Sequence, residues 1–170
     1  MEAAAKEILA KLEEHLRYVD ESALVILKGH LVIEETLGEI ISTFVFHGEH
    51  LEGARITFAQ KVAIARTMSL DEHNNEMWNL VLAINSLRNE LAHALQSPKR
   101  VAKTTALIEL HKKLGGSVTT PDGKEVPEHV LLSFAVSYSL GFLSGFIEEV
   151  RRFRSMLDGM DKIANPHRLK

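Results

Sequence analysis

The chain of 170 residues contains no cysteine. Disulfides, thiolate zinc sites, iron–sulfur clusters and cysteine nucleophiles are therefore excluded. Proline and glycine are scarce, at four and ten. Few positions force the chain to break, and long helices are expected. The opening Met1-Glu2-Ala3-Ala4-Ala5-Lys6-Glu7 is a charged helix former. It lacks the basic segment and apolar run of a secretion signal, so a cytoplasmic protein is expected. Hydrophobic residues make up 45% and charged residues 25%. Those values suit a globular protein and exclude a disordered tail or a collagen-like rod. The length suits one domain, residues 1–170, able to bury a sizeable core.

The net charge of −3 is unevenly spread. Residues 1–98 carry −7 and residues 99–170 carry +4. An acidic first half argues against a broad nucleic-acid surface, which gains its affinity by neutralising phosphates. A small basic cleft toward the second half remains compatible with that balance.

Hydrophobic periodicity predicts an all-α bundle of five to six helices. The first spans about 2–18, with Ile8, Leu9, Leu12 and Leu16 at helical spacing. Asp20 to Ser22 cap a second helix running to about Phe46, and a third covers 57–67. Ser69-Leu70-Asp71-Glu72 reads as a capping box opening a fourth helix to about Leu95. Ser97-Pro98 starts a fifth that ends at Gly115-Gly116, since proline suits the first helical position. Pro127 starts a last helix to about Leu157, followed by a frayed tail from Gly159. Between them, Val118 to Val126 holds β-branched arms around Pro121-Asp122-Gly123. A small β-hairpin or loop insertion is expected near 116–127.

Val130 to Ile147 is a stretch of 18 residues without a charge, at the lower edge of membrane-spanning length. Five interruptions by serine or tyrosine and the acids on both flanks favour a buried central helix, with no membrane partner. Within it, Ser133, Ser137, Gly141 and Gly145 recur every four residues. Small residues let helix backbones approach closely. Packing inside the monomer is the simpler use, and contact between two copies the sharper one.

The fourth helix carries two faces. Met77, Leu80, Ile84, Leu87, Leu91 and Leu95 form a core face. Trp78, Leu82, Asn85, Asn89, His93 and Gln96 form a second strip. Trp and Leu beside uncharged amides, with no Lys or Glu, mark a covered strip. Trp78, Leu82 and Asn85 are its candidate dimer-interface residues. Asn89 and His93 are four apart, hence neighbours on a helix surface, and Arg88 is long enough to reach them. An imidazole can move a proton near pH 7, and a guanidinium can hold a phosphate and stabilise developing charge. Ordinary packing competes with this reading: Arg88 could pair with Glu34 or Glu35, and His93 could fill a helix end.

Arg88-Asn89-x-x-x-His93 resembles the Arg-polar-x3-His motif of the HEPN superfamily of helical proteins. Its context, Leu87-Arg88-Asn89-Glu90-Leu91-Ala92-His93, is similar to mannitol-operon-repressor-like members. Leu31-Val32-Ile33-Glu34-Glu35-Thr36-Leu37 and Phe58-Ala59-Gln60-Lys61-Val62-Ala63 extend the likeness over about 20–100. The resemblance implies a homodimeric, metal-independent endoribonuclease, a toxin or defence component with RNA as substrate and an antitoxin as partner. Alternatively it implies a non-catalytic regulator acting through protein contacts. Under the first implication Arg88 and His93 are catalytic and Asn89 supports them, with no cofactor. The RNA 2′-hydroxyl attacks the adjacent phosphorus and leaves a 2′,3′-cyclic phosphate and a 5′-hydroxyl. Lys99, Arg100 and Lys103 follow the motif as candidate nucleic-acid contacts, although basic charge at a helix start opposes the macrodipole.

Other chemistry is less supported. His30 and Glu34 are four apart and His47 and His50 three apart, but no third ligand is placed by spacing, so no metal site is expected. Gly115-Gly116 is not followed by a Lys-Ser/Thr pair, which leaves a phosphate loop without support. No strand–Ser–helix elbow and no basic recognition helix stand out.

Overall fold

The computed structural model describes residues 6, 10, 20–51, 53–69, 75–93, 97–116 and 126–168. Five α-helices and no strand occur among them: α1 (Glu21–Phe44), α2 (Phe58–Arg66), α3 (Met77–His93), α4 (Pro98–Lys113) and α5 (Glu128–Ala164). The all-α bundle expected from the periodicity is the observed fold. The expected helix at 2–18 and the hairpin expected near 116–127 fall outside the described residues, apart from Lys6 and Ala10 of the first and Gly116, Val126 and Pro127 of the second.

Local chemistry sets most helix starts. The Asp20 carboxylate accepts from the Ala23 backbone N–H at 2.7 Å and begins α1. Thr57 and Gln60 form a capping box at the head of α2. Ser97 caps α4, with Pro98 in its first turn. The fourth expected helix is shorter than its pattern. Asn75 is non-helical, its side-chain oxygen accepts from the Met77 N–H at 3.0 Å, and α3 begins at Met77 rather than after Ser69. The last helix is longer, because α5 runs through Gly159 to Ala164. At about 1.5 Å per residue its 37 residues reach about 55 Å.

The core is the seam of α1 and α5 with α3 laid across it. Ile26, Ile33, Leu37 and Ile40 of α1 are fully buried, as are Leu80, Ile84 and Leu87 of α3 and Leu143 of α5. The core face read for α3 is thus the observed one, with Leu95 outside the described residues. At Gly29 the two long helices meet most closely. A Cβ built there would stand 2.6 Å from Val136 Cγ1, so only hydrogen fits without a shift. The far end of the seam is closed by Arg154, which donates to the Phe44 carbonyl at 3.2 Å and lies 3.7 Å over the Phe46 ring.

Two packing expectations change. Trp78 is buried within its own chain, edge-on to Phe142 and Phe146 of α5 at 4.9 and 5.6 Å. At Trp78 the α3 strip is covered, but by α5, so Trp78 has no surface left for a second copy; Leu82 and Asn85 are half-buried and Asn89 is exposed. The small-residue stripe points the other way. Ser133, Ser137, Gly141 and Gly145 are exposed, and a Cβ at either glycine would meet nothing within 4 Å. α5 buries its opposite face instead, through Leu132, Ala135, Val136, Ser139, Leu143, Phe146, Ile147 and Val150. Its apolar run is one-sided rather than central: 39% of the 18-residue window is buried, and Phe134 and Tyr138 are exposed.

Candidate functional site

Arg88, the core of the sequence motif, lines a cleft of about 380 Å³ where three helices converge. His30 and Glu34 come from α1, Thr57, Phe58 and Ala59 from the start of α2, and Asn85, Arg88 and Asn89 from α3. The volume lies within the usual range for small-ligand sites. Residues 85, 88 and 89 share one face of α3 by helical spacing, and the capping box at Thr57 fixes the rim opposite.

The Arg88 guanidinium is half-buried and donates from Nη1 to Asn89 Oδ1 at 3.2 Å. Among the described residues it forms no ion pair. The acid that could have claimed it is already engaged: Glu34 Oε1 accepts from Lys61 Nζ at 3.0 Å. Asn89 is exposed and brought to Arg88 as the motif implies. His93 is the last residue of α3, and its side chain lies outside the described residues, as does Gln96.

The residue that spacing undervalued is His30. It follows Ile26 by one turn on the buried face of α1 and is itself buried. Its ring stacks on Phe58 with centroids 4.4 Å apart. Nε2 donates to Asn85 Oδ1 at 3.0 Å. Nδ1 is buried and among the described residues has no hydrogen-bond partner, with Glu34 Oε2 at 3.9 Å. Burial pushes the imidazole below its ordinary value; the Asn85 bond opposes this, and the positive charge of Arg88 adds to it. His30 is therefore neutral near pH 7. A polar residue on an otherwise apolar helix face was the available signal for it.

The basic stretch behaves differently. Arg100 is ion-paired with Asp20, and Lys103 donates to Glu90 Oε2 and to the Ser86 carbonyl, each at 3.1 Å. Ser97 also donates to Glu90, at 2.7 Å, and together these hold the Glu90 carboxyl below its usual range. Lys99 is exposed, and none of the three lines the Arg88 cleft. Two of the three cations expected to meet phosphate are thus spent on tying α4 to α1 and α3. A third donor does join the two exposed histidines: His47, Glu49 and His50 place their ligand atoms within 4.8 Å of one another on a surface turn.

No protein-family model, curated protein or solved structure matches this chain. The site is accordingly read from its own chemistry. Half-buried Arg88, with no ion pair among the described residues and two side-chain amides beside it, presents hydrogen-bond donors of the kind that oxyanions accept from. The acid that lines the cleft, Glu34, is paired with Lys61.

Proposed function

We propose that the protein is a metal-independent endoribonuclease of the HEPN type, a toxin or defence component working as a homodimer. One observation carries this reading: Arg88 stands in a polar cleft without a carboxylate partner among the described residues. A half-buried cation that no carboxylate among the described residues pairs with favours an anion that supplies the charge. A phosphodiester fits that need, and Arg can hold two of its oxygens at once. In the reaction, the RNA 2′-oxygen bonds to the adjacent phosphorus and the bond from phosphorus to the 5′-oxygen breaks. The proton of the 2′-hydroxyl leaves, and one is delivered to the departing 5′-oxygen. His93 is assigned to this proton transfer from the motif alone. Arg88 stabilises the charge on the pentavalent phosphorus, and Asn89 holds the guanidinium.

The test is incubation of RNA with purified protein in excess chelator. Cleavage to 2′,3′-cyclic phosphate ends that disappears in both Arg88→Ala and His93→Ala supports the enzyme. Intact RNA with clean wild-type protein removes it. A second reading, a non-catalytic regulator acting through protein contacts, draws on the open face of α5. Phe134 and Tyr138 are exposed there beside Ser137 and Gly141. A stable complex with another protein, without RNA cleavage, would favour it.

A further inference from the structure

We infer that His30 is a positioning residue for the Arg88 cleft, orienting the Asn85 amide so that its amino group faces a bound phosphodiester beside Arg88 and Asn89. The inference rests on the ribonuclease reading and adds a residue that the motif does not contain.

A neutral imidazole has one donor and one acceptor nitrogen. Here Nε2 meets Asn85 Oδ1, an acceptor only, at 3.0 Å. Nε2 must therefore carry the proton, and Nδ1 keeps its lone pair. That leaves Nδ1 without a partner among the described residues, 3.9 Å from a Glu34 oxygen. The opposite tautomer would aim Nδ1–H at Glu34 and require Asn85 to turn its amino group toward His30. Lys61 weakens the reason to do so, because it already binds the Glu34 carboxylate at 3.0 Å. Phe58, stacked at 4.4 Å, holds the ring plane and prevents His30 from seeking another partner.

The consequence reaches the cleft through α3. With Oδ1 occupied, the remaining polar group of Asn85 is its NH₂, and Asn85 lines the cleft. Asn89 is in the same state, since its Oδ1 accepts from Arg88 Nη1 at 3.2 Å. Each amide oxygen thus already accepts one hydrogen bond within the fold. The amino groups, together with the guanidinium, are the donors left to the cleft. These donors suit an oxyanion and need no reorganisation when one arrives, and the carboxylate that lines the cleft, Glu34, is already paired with Lys61. His30 is buried, so it shapes the site through Asn85 rather than by touching the ligand.

Two measurements test this. Imidazole ¹⁵N spectra of the full-length protein at neutral pH should show His30 as the Nε2–H tautomer. The Nδ1–H tautomer would overturn the inference directly, whatever the protein does to RNA. The second is binding of a labelled single-stranded 2′-deoxy oligonucleotide in chelator, which carries phosphodiesters but cannot be cleaved by this route. Arg88→Ala is expected to weaken binding by about tenfold or more, the usual scale for a hydrogen bond to charge. His30→Met, which keeps bulk but lacks the donor, should weaken it several-fold. His30→Gln, which returns an N–H near the Nε2 position, should recover most of that loss. If His30→Met proves too unstable, Asn85→Asp serves instead. It keeps the acceptor for His30 and replaces the amino group with an oxygen, so binding should fall as far as in Arg88→Ala without loss of thermal stability. Binding lost in Arg88→Ala but unchanged in His30→Met and Asn85→Asp overturns the role of His30 and leaves the nuclease reading standing. No binding by wild type, or none of it dependent on Arg88, overturns both.

Discussion

Arg88 and Arg100 are the same side chain twelve residues apart, and the fold treats them in opposite ways. Arg100 reaches back to Asp20 at the start of α1 and lies mostly buried in that pair. Its neighbour Lys103 is held by Glu90. Together they fasten α4 to α1 and α3, work that needs charges of both signs and leaves none over. Arg88 sits where the acid that shares its cleft, Glu34, belongs to Lys61, and among the described residues it is hydrogen-bonded to a neutral amide. Counting basic residues would rank the α4 stretch above the single arginine of α3. Which cation is available depends instead on who else competes for the carboxylates.

The comparison breaks most readily in a cleavage assay. Arg88→Ala should lower the rate of RNA cleavage by about 10²- to 10³-fold, the scale for removing one donor to a charged transition state. Arg100→Ala should leave the rate within about twofold and lower stability by no more than about 1 kcal/mol, as partly exposed ion pairs do. Equal losses in the two variants would mean that Arg100 reaches the RNA and that its pairing with Asp20 is incidental. Behind the cleft, Gly29→Ala addresses how firmly His30 is held. The added methyl would strike Val136 at 2.6 Å, so α1 and α5 must separate. Urea unfolding should show a loss of about 1–3 kcal/mol. Cleavage should fall as well if the cleft depends on that seam.

How much of this could be read beforehand differs from element to element. The starts of α1 and α4 were legible because a capping side chain lies within three residues of the N–H it accepts from, whereas the start of α2 followed from the spacing of Phe58, Val62 and Ala65 and its Thr57–Gln60 box went unread. The start of α3 was not. Ser69 and Glu72 offer one capping pattern and Asn75 offers another, and a sequence does not say which wins. Helical spacing put Trp78, Asn85 and Asn89 on one strip and implied that something covers it. The cover over Trp78 is α5, about sixty residues further on, whereas Asn85 meets His30 of α1 and Asn89 is exposed, and only tertiary packing reveals that. The stripe from Ser133 to Gly145 shows the same gap: periodicity tells which residues share a face, not where the face points. In the candidate site, Arg88 and Asn89 were legible from the motif. His30 was seen only as half of a possible metal pair, because its bond to Asn85 spans 55 residues.

The satisfied side of the comparison has its own test. Ser97 caps α4 by accepting from the Arg100 N–H at 3.1 Å and donates to Glu90 at 2.7 Å. Ser97→Ala should cost about 1 kcal/mol in urea unfolding, a typical cap loss, with cleavage unaffected. A larger effect on cleavage than on stability would place the α4 start at the RNA after all.

The smallest effect concerns protons. Burial holds His30 below its ordinary value, and it does the same to His111, whose ring lies edge-on to Tyr138. Both are neutral in the fold, while the unfolded chain protonates its histidines at about pH 6.5. The stabilisation from keeping them neutral is thus fully present above that pH and is lost as pH falls toward the lower folded-state values. Groups facing His30 set the size of its share: Arg88 and Lys61 oppose its protonation, whereas Asn85 and Glu34 favour it. The melting temperature should therefore decline between pH 7.5 and pH 5.5, before carboxylates such as Glu90 begin to titrate. His30→Gln should flatten part of that decline and leave the remainder to His111. A variant that melts in parallel with wild type across this range would mean that His30 takes up its proton without cost. Its neutral form would then not be what separates the Arg88 cleft from the paired cations of α4.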